Sequence, residues 1–89
     1  MKATKIKMKS GCSKSNDLCE IDSIYLEEMG TFYKKELVHD YLLSNPNSIY
    51  VNIYPYPVLQ PAVSPLGEKY VRSEPNSTQK DNLLNLPRC

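Results

Sequence analysis

The chain reads as an α+β fold, a small and mostly antiparallel sheet covered on one face by a single helix, in the order β-β-α-β-(β)-β with a carboxy-terminal clasp. Three observations predict it. Apolar and polar residues alternate over Ala3 to Lys9 and again over Ser48 to Tyr54, the period-two pattern of strands with one wet face. A stretch after Gly30 carries apolar residues at helical spacing. The chain then closes on Asp81-Asn82-Leu83-Leu84-Asn85-Leu86-Pro87, a compact leucine run suited to fastening the end of the chain onto its own core. With 89 residues, the expectation is one domain over 1–89.

The first strand places Thr4, Ile6 and Met8 on one side and Lys5, Lys7 and Lys9 on the other. Ser10 to Asp17, with Gly11, Ser13, Ser15 and Asn16, has loop composition and is long for a tight hairpin. A second strand is expected over Leu18 to Leu26, and its apolar side switches near Ser23, which suggests a bulge or the end of the strand. Thr31 can cap a helix running from Phe32 to about Leu43, with Tyr33, Leu37, Val38, Tyr41 and Leu42 on one face and Lys34, Lys35 and Asp40 nearer water. Asn45-Pro46-Asn47 stops it. Lysines in its first turn oppose the helix dipole, so packing must hold this helix.

Ser48 to Tyr54 is the strongest strand signal and is expected at the centre of the sheet, with Ile49, Val51 and Ile53 on one face and Tyr50, Asn52 and Tyr54 on the other. Pro55, Pro57, Pro61 and Pro65 follow, and each lacks a backbone donor, so this stretch can only follow or cross a sheet edge. Val58, Leu59, Ala62 and Val63 allow a broken edge strand within it. Glu68 to Ser73 alternates again and should pair antiparallel with a neighbour. Pro75-Asn76-Ser77-Thr78 makes a turn, after which Asp81 or Asn82 can cap a single helical turn carrying Leu83, Leu84 and Leu86. Arg72 offers five donors and could hold Asp81 or the terminal carboxylate.

The pair Lys69-Tyr70-Val71-Arg72-Ser73 and Asp81-Asn82-Leu83-Leu84-Asn85-Leu86-Pro87 resembles the closing pattern of a family of small bacterial and phage proteins known as domain of unknown function 3892. The resemblance is specific over this closing stretch, and upstream it extends to the order of strands around a helix. It implies the fold and carries over no catalytic, cofactor or ligand residue. The matched positions have a structural reading as a clasp of Arg72, Asp81, Asn82, Leu83, Leu84 and Leu86.

Composition limits the function classes. A chain this short buries roughly 60 to 65 % of the surface it exposes when unfolded. It has no Trp, one Phe and seven Tyr, so much of its large side-chain area carries a hydroxyl that needs a partner or water. The net charge of +1 argues against a protein whose main business is neutralising phosphate. The charges are blocked, however: Lys2, Lys5, Lys7, Lys9 and Lys14 precede any acid, and Asp17, Glu20, Asp22, Glu27 and Glu28 then follow without a base. On neighbouring strands these blocks would face each other. No apolar run marks a leader or membrane span, and Cys12, Cys19 and Cys89 are odd in number, so reduced thiols in the cytoplasm are the expectation.

For chemistry, Cys12, Cys19 and His39 lack the tight pairing of structural zinc sites, and His39 is expected solvated on the helix flank. Glu27 and Glu28 read as a solvated turn, and Gly11, Gly30 and Gly67 are isolated rather than a phosphate loop. The expectation is no catalytic site, no metal site and no cofactor. The leading reading is a binding module that engages a protein partner, or a second copy, through Tyr50, Tyr54, Tyr56 and Tyr70 on the sheet face away from the helix. The runner-up is a weak nucleic-acid binder using Lys5, Lys7 and Lys9 with the tyrosines as stacking planes. A minor third reading is a small metal protein or enzyme centred on the cysteines and His39.

Overall fold

The computed structural model describes residues 1–74 and 82–88. Within them the chain runs β1 (Lys2–Met8), a 3₁₀ turn (Leu18–Glu20), β2 (Ile21–Leu26), β3 (Thr31–Lys34), α1 (Lys35–Ser44), β4 (Tyr50–Val51), β5 (Leu59–Val63), β6 (Lys69–Ser73) and a closing 3₁₀ turn (Asn82–Asn85). The strands form a four-stranded sheet in the order β3-β2-β1-β4 and a two-stranded sheet of β5 and β6. Only the β1–β4 pair among them is parallel. This is the expected α+β class, with the strands divided between two sheets.

In the β1–β2 pair Met8 faces Ile21, Ile6 faces Ile24 and Ala3 faces Leu26, and all of these side chains are buried. Register shifts fall between Lys7 and Met8 and between Ala3 and Lys5. An extra residue on one strand reverses which face its neighbours occupy. The shift at Lys7/Met8 lets Ile21 and Ile24, an odd number of residues apart, enter the same core, and it accounts for the switch read near Ser23. The first part of the expected second strand, Leu18–Glu20, is a 3₁₀ turn capped by the Asp17 side chain, which accepts from the Cys19 amide at 2.9 Å.

The helix begins later than its sequence suggests. Thr31 does not cap it; Thr31, Phe32, Tyr33 and Lys34 form β3 and pair with Leu26, Tyr25, Ile24 and Ser23. Gly30, at φ 68°, closes the intervening turn, and its amide donates to the Leu26 carbonyl at 2.9 Å. A β-branched and two aromatic residues suit a strand as well as a helix, and four residues are too few to show a period, so the available β2 edge decided. The helical face is also rotated from the expected one. Lys35, Val38, His39 and Leu42 are buried, whereas Leu37 is 58 % exposed and Tyr41 43 %. The cause is that α1 packs against both β2 and the β5–β6 pair.

Ser48 to Tyr54 does alternate, with Ile49 and Val51 fully buried, but only Tyr50–Val51 forms a strand, and it lies at the edge of the four-stranded sheet rather than its centre. Its outer side is occupied by the chain's own return: Val51 N donates to Pro57 O at 2.9 Å, Leu59 N donates to Ile49 O at 2.8 Å, and Tyr50 bridges Val58. The proline-spaced stretch then becomes β5, with Pro61 opposite Val71 of β6. A two-stranded sheet consists only of edges, the setting in which a strand proline is tolerated.

Because β4 covers only the Lys2–Ala3 end of β1, the rest of that edge is open to another segment. The carboxy-terminal clasp takes it. Ile6 N donates to Pro87 O at 2.9 Å and Ile6 bridges Arg88 in parallel fashion. Leu83, Leu84 and Leu86 are buried in the core with Asn82 beside them, as expected of the clasp. Arg72 is exposed on β6; its expected partners, Asp81 and the terminal carboxylate of Cys89, lie outside the described residues, as does the expected turn at 75–78. Among the described residues, the Arg88 guanidinium ties the clasp to the loop after β1, donating to Ser13 O at 2.9 Å and Ser15 O at 2.7 Å, and also to Leu84 O at 2.9 Å.

Candidate binding surface

Three of the tyrosines singled out from the sequence come together. Tyr56 stands between the other two, 6.3 Å from Tyr50 and 6.1 Å from Tyr54 between ring centroids, both pairs edge to face. Tyr54 is 81 % exposed and Tyr56 53 %. The backbone beneath them is tightly specified: Tyr56 N donates to Ile53 O at 2.7 Å, and Tyr56 holds the left-handed φ of 61°. A left-handed conformation is costly for a bulky side chain and persists only where its surroundings hold it. Between Tyr50 and Tyr56 lies an open cleft of about 490 Å³, lined also by Lys2, Asn52 and Val58. Tyr70 is placed apart from this cluster, half-buried on β6 opposite Ala62.

The three lysines of the first strand do not form one free face. Lys5 and Lys7 are exposed, but Lys9 lies beyond the strand and its ammonium bonds Glu68 at 2.8 Å. Lys5 sits 4.9 Å from the centre of the Tyr25 ring, which in turn meets Phe32 edge to face at 5.2 Å. Between the acidic block and this strand, Lys2 pairs with Glu27 at 3.5 Å and Lys7 lies close enough to Asp22 to favour its charged form, while Asp22 makes its direct ion pair with Lys34 of β3 at 3.0 Å.

The most organised polar group is one that sequence reasoning missed. Lys35, whose side chain is 1 % exposed, donates from Nζ to the Cys19 carbonyl at 2.8 Å and to Glu68 Oε2 at 2.5 Å; Lys9 reaches the same oxygen. The two ammonium groups hold the Glu68 carboxyl down to about pH 2 for its titration, first through the Lys35 hydrogen bond and then through that of Lys9. Partnering with Glu68 and a carbonyl also explains how a lysine is accommodated in the first helical turn. Local spacing carries no sign of it, because the partner lies on the far side of the β5 hairpin.

His39 is not solvated as expected; it is 5 % exposed, with Nδ1 3.1 Å from Asp40 Oδ1. Asp40 is held below the usual carboxylate range by that contact and by Lys69. Cys12 donates its thiol to Glu20 at 2.9 Å, and the carboxylate raises the Cys12 pKa, while burial raises that of Cys19. Among the described residues no three His, Cys, Asp or Glu side chains gather as metal ligands would. A second hollow of about 380 Å³ lies between α1 and the β2–β3 turn, walled by Met1, Leu26, Met29, Tyr33, Leu37, Val38, Tyr41 and Ile49. Its apolar walls include Leu37 and Tyr41, the helical residues expected in the core. No helix among the described residues is long and apolar enough to cross a membrane.

A model of the family described as "Protein of unknown function (DUF3892)" matches residues 3–87, and the chain belongs to that family. The match extends well upstream of the closing motif that carried the resemblance, through the strands and helix described above. No curated protein and no solved structure matches the chain.

Proposed function

We propose, from membership of a family without an assigned activity and from the ring cluster on its surface, that this protein is a non-enzymatic cytoplasmic binding module. It engages a protein partner, or a second copy of itself, through Tyr50, Tyr54 and Tyr56. The carrying observation is that these rings touch one another while Tyr54 and Tyr56 remain largely in solvent, above a turn that holds them in place. Tyrosines presented on a fixed backbone give large contact area at small ordering cost, the property of protein recognition surfaces. Asn52 and the Lys2–Glu27 pair supply a polar rim.

A second reading, nucleic-acid binding, is favoured by Lys5, Tyr25 and Phe32 lying together on the four-stranded sheet. It is weakened by the capture of Lys9 by Glu68. Light scattering of the purified chain, with affinity capture from nuclease-treated host extract, tests the two. Self-association or a reproducible, identified protein partner that is lost in Tyr54→Ala and kept in Lys5→Glu supports the first reading. Retention of nucleic acid that is lost in Lys5→Glu and kept in Tyr54→Ala supports the second.

A further inference from the structure

We infer that two copies of this chain pair edge to edge through β3, antiparallel about a two-fold axis, so that their four-stranded sheets become one. β3 is the outermost strand of its sheet; it pairs with β2 on one side and with no described segment on the other. Alternate residues of an antiparallel strand aim both backbone groups away from the neighbour they pair with, so the free side of β3 offers donors and acceptors that another extended backbone matches. Elsewhere the chain covers or blunts such edges. Pro57 and Leu59 cover β4, Pro87 and Arg88 take the open part of β1, and Pro61 interrupts β5. β3 carries no proline, its register with β2 is unbroken, and its two central residues are aromatic.

The side chains along this edge identify the occupant as a second copy. Phe32 and Tyr33 are both half-buried and stand on opposite faces of the sheet, Phe32 against Tyr25 on the outer face and Tyr33 on the helix side, where it packs against the core. On the helix side Tyr33 continues into the apolar hollow, whose rim of Met29, Leu37 and Tyr41 is exposed. Charge then selects self-pairing. An antiparallel match brings the Lys34 end of each β3 to the Thr31 end of the other, and the turn just before Thr31 carries Glu27 and Glu28 in solvent. Lys34 is bonded to Asp22 of its own chain, yet its side chain is largely exposed and can face these carboxylates as well. The two-fold axis repeats the contact, so every copy supplies both its basic and its acidic half. The Tyr50–Tyr56 cluster lies at the opposite, β4 edge of the sheet and stays free in such a dimer.

Analytical ultracentrifugation of the full chain at low salt and rising concentration, with exchange of the β3 amides followed by NMR, tests this. The expected result is a dimer whose formation protects amides within 31–34 in step with protein concentration. Lys34→Glu weakens the dimer about tenfold or more, and so does Glu27→Lys combined with Glu28→Lys, because each leaves like charges facing each other twice across the axis. Mixing these two variants restores the dimer, since opposite charges then meet at both contacts, and the restoration shows that neither variant has misfolded. Tyr54→Ala leaves it unchanged. A chain that is monomeric up to about 1 mM overturns the inference, as does a dimer that ignores both charge reversals. Self-association lost in Tyr54→Ala and kept in Lys34→Glu would overturn it while supporting the tyrosine surface. Protection of the β3 amides that appears only with a different protein would also overturn it, and would make the occupant of this edge a foreign strand.

Discussion

The Lys35 ammonium meets Glu68 Oε2 at 2.5 Å across thirty-three residues of sequence, joining the start of α1 to the β5–β6 connection directly before β6. The two ends of this contact are unequal. The Lys35 side chain is sealed from water, whereas Glu68 is about one-third exposed and keeps Lys9 as a second partner.

This inequality predicts an asymmetry between variants. Glu68→Gln leaves the buried ammonium with the Cys19 carbonyl and, at 3.8 Å, only the half-exposed Glu36 carboxylate, and lowers the melting temperature clearly. Lys35→Met leaves a carboxylate that water and Lys9 still satisfy, and it stays within about 1 kcal/mol of wild type. Chemical denaturation of both variants checks the order, and a larger loss in Lys35→Met would contradict it.

The pH dependence has a definite sign. The Glu68 carboxyl titrates at about 2 in the folded chain against an ordinary 4.5, so its unfolded form binds a proton first on acidification. Its stabilising contribution is complete above about pH 4.5 and is lost as the pH falls toward 2. Thermal melts of wild type and Glu68→Gln should therefore converge across that window, and curves that remain parallel would refute the link.

The clasp should carry stability through burial more than through its polar bonds. Leu83 is fully buried, and Leu83→Ala is expected to cost about 2–4 kcal/mol. Arg88→Ala removes three bonds to carbonyls in a partly exposed position and should cost about 1–2 kcal/mol, while speeding hydrogen exchange at the Ile6 amide that Pro87 O holds. Denaturant titration gives the first comparison and exchange measured by NMR the second.

Gly30 is required by its backbone and not by crowding. A Cβ there meets nothing within 4 Å, yet φ is 68°. Gly30→Ala should destabilise the chain by about 1 kcal/mol and Gly30→Asn by less, because asparagine tolerates the left-handed region better. Equal losses in the two variants would show that something other than this torsion angle matters.

Cys12 should alkylate slowly at neutral pH. Its thiol donates to Glu20, which keeps it protonated above the ordinary thiol range. Glu20→Gln should raise its rate with iodoacetamide, read by mass spectrometry on the Cys12 peptide; an unchanged rate would remove the carboxylate as the cause.

Much of this fold was legible in the residues. Alternation around Ile6, Ile24 and Val51 marked strands because one wet face leaves a period of two, and the parity break near Ser23 marked either a bulge or a strand end, of which the β1–β2 register shift is the first. Leu83, Leu84 and Leu86 marked a buried close. These are consequences of local geometry acting on burial, which a single sequence records. Tyr50 and Tyr54 were identifiable as surface candidates from the same alternation and Tyr56 as an aromatic just beyond it, although their mutual contact was not.

What tertiary structure decided were the choices between local states of similar energy and the pairings between distant segments. Thr31–Lys34 became a strand because β2 offered an edge, and α1 turned Lys35 and His39 inward because β5 and β6 lie on that side. The shortness of β4 left room on β1 for Arg88, and the distant Glu68 made a buried lysine tolerable. Sequence spacing reports which residues share a face of their own element. It carries no record of which other element will cover that face, because that is set by contacts between segments far apart in the chain.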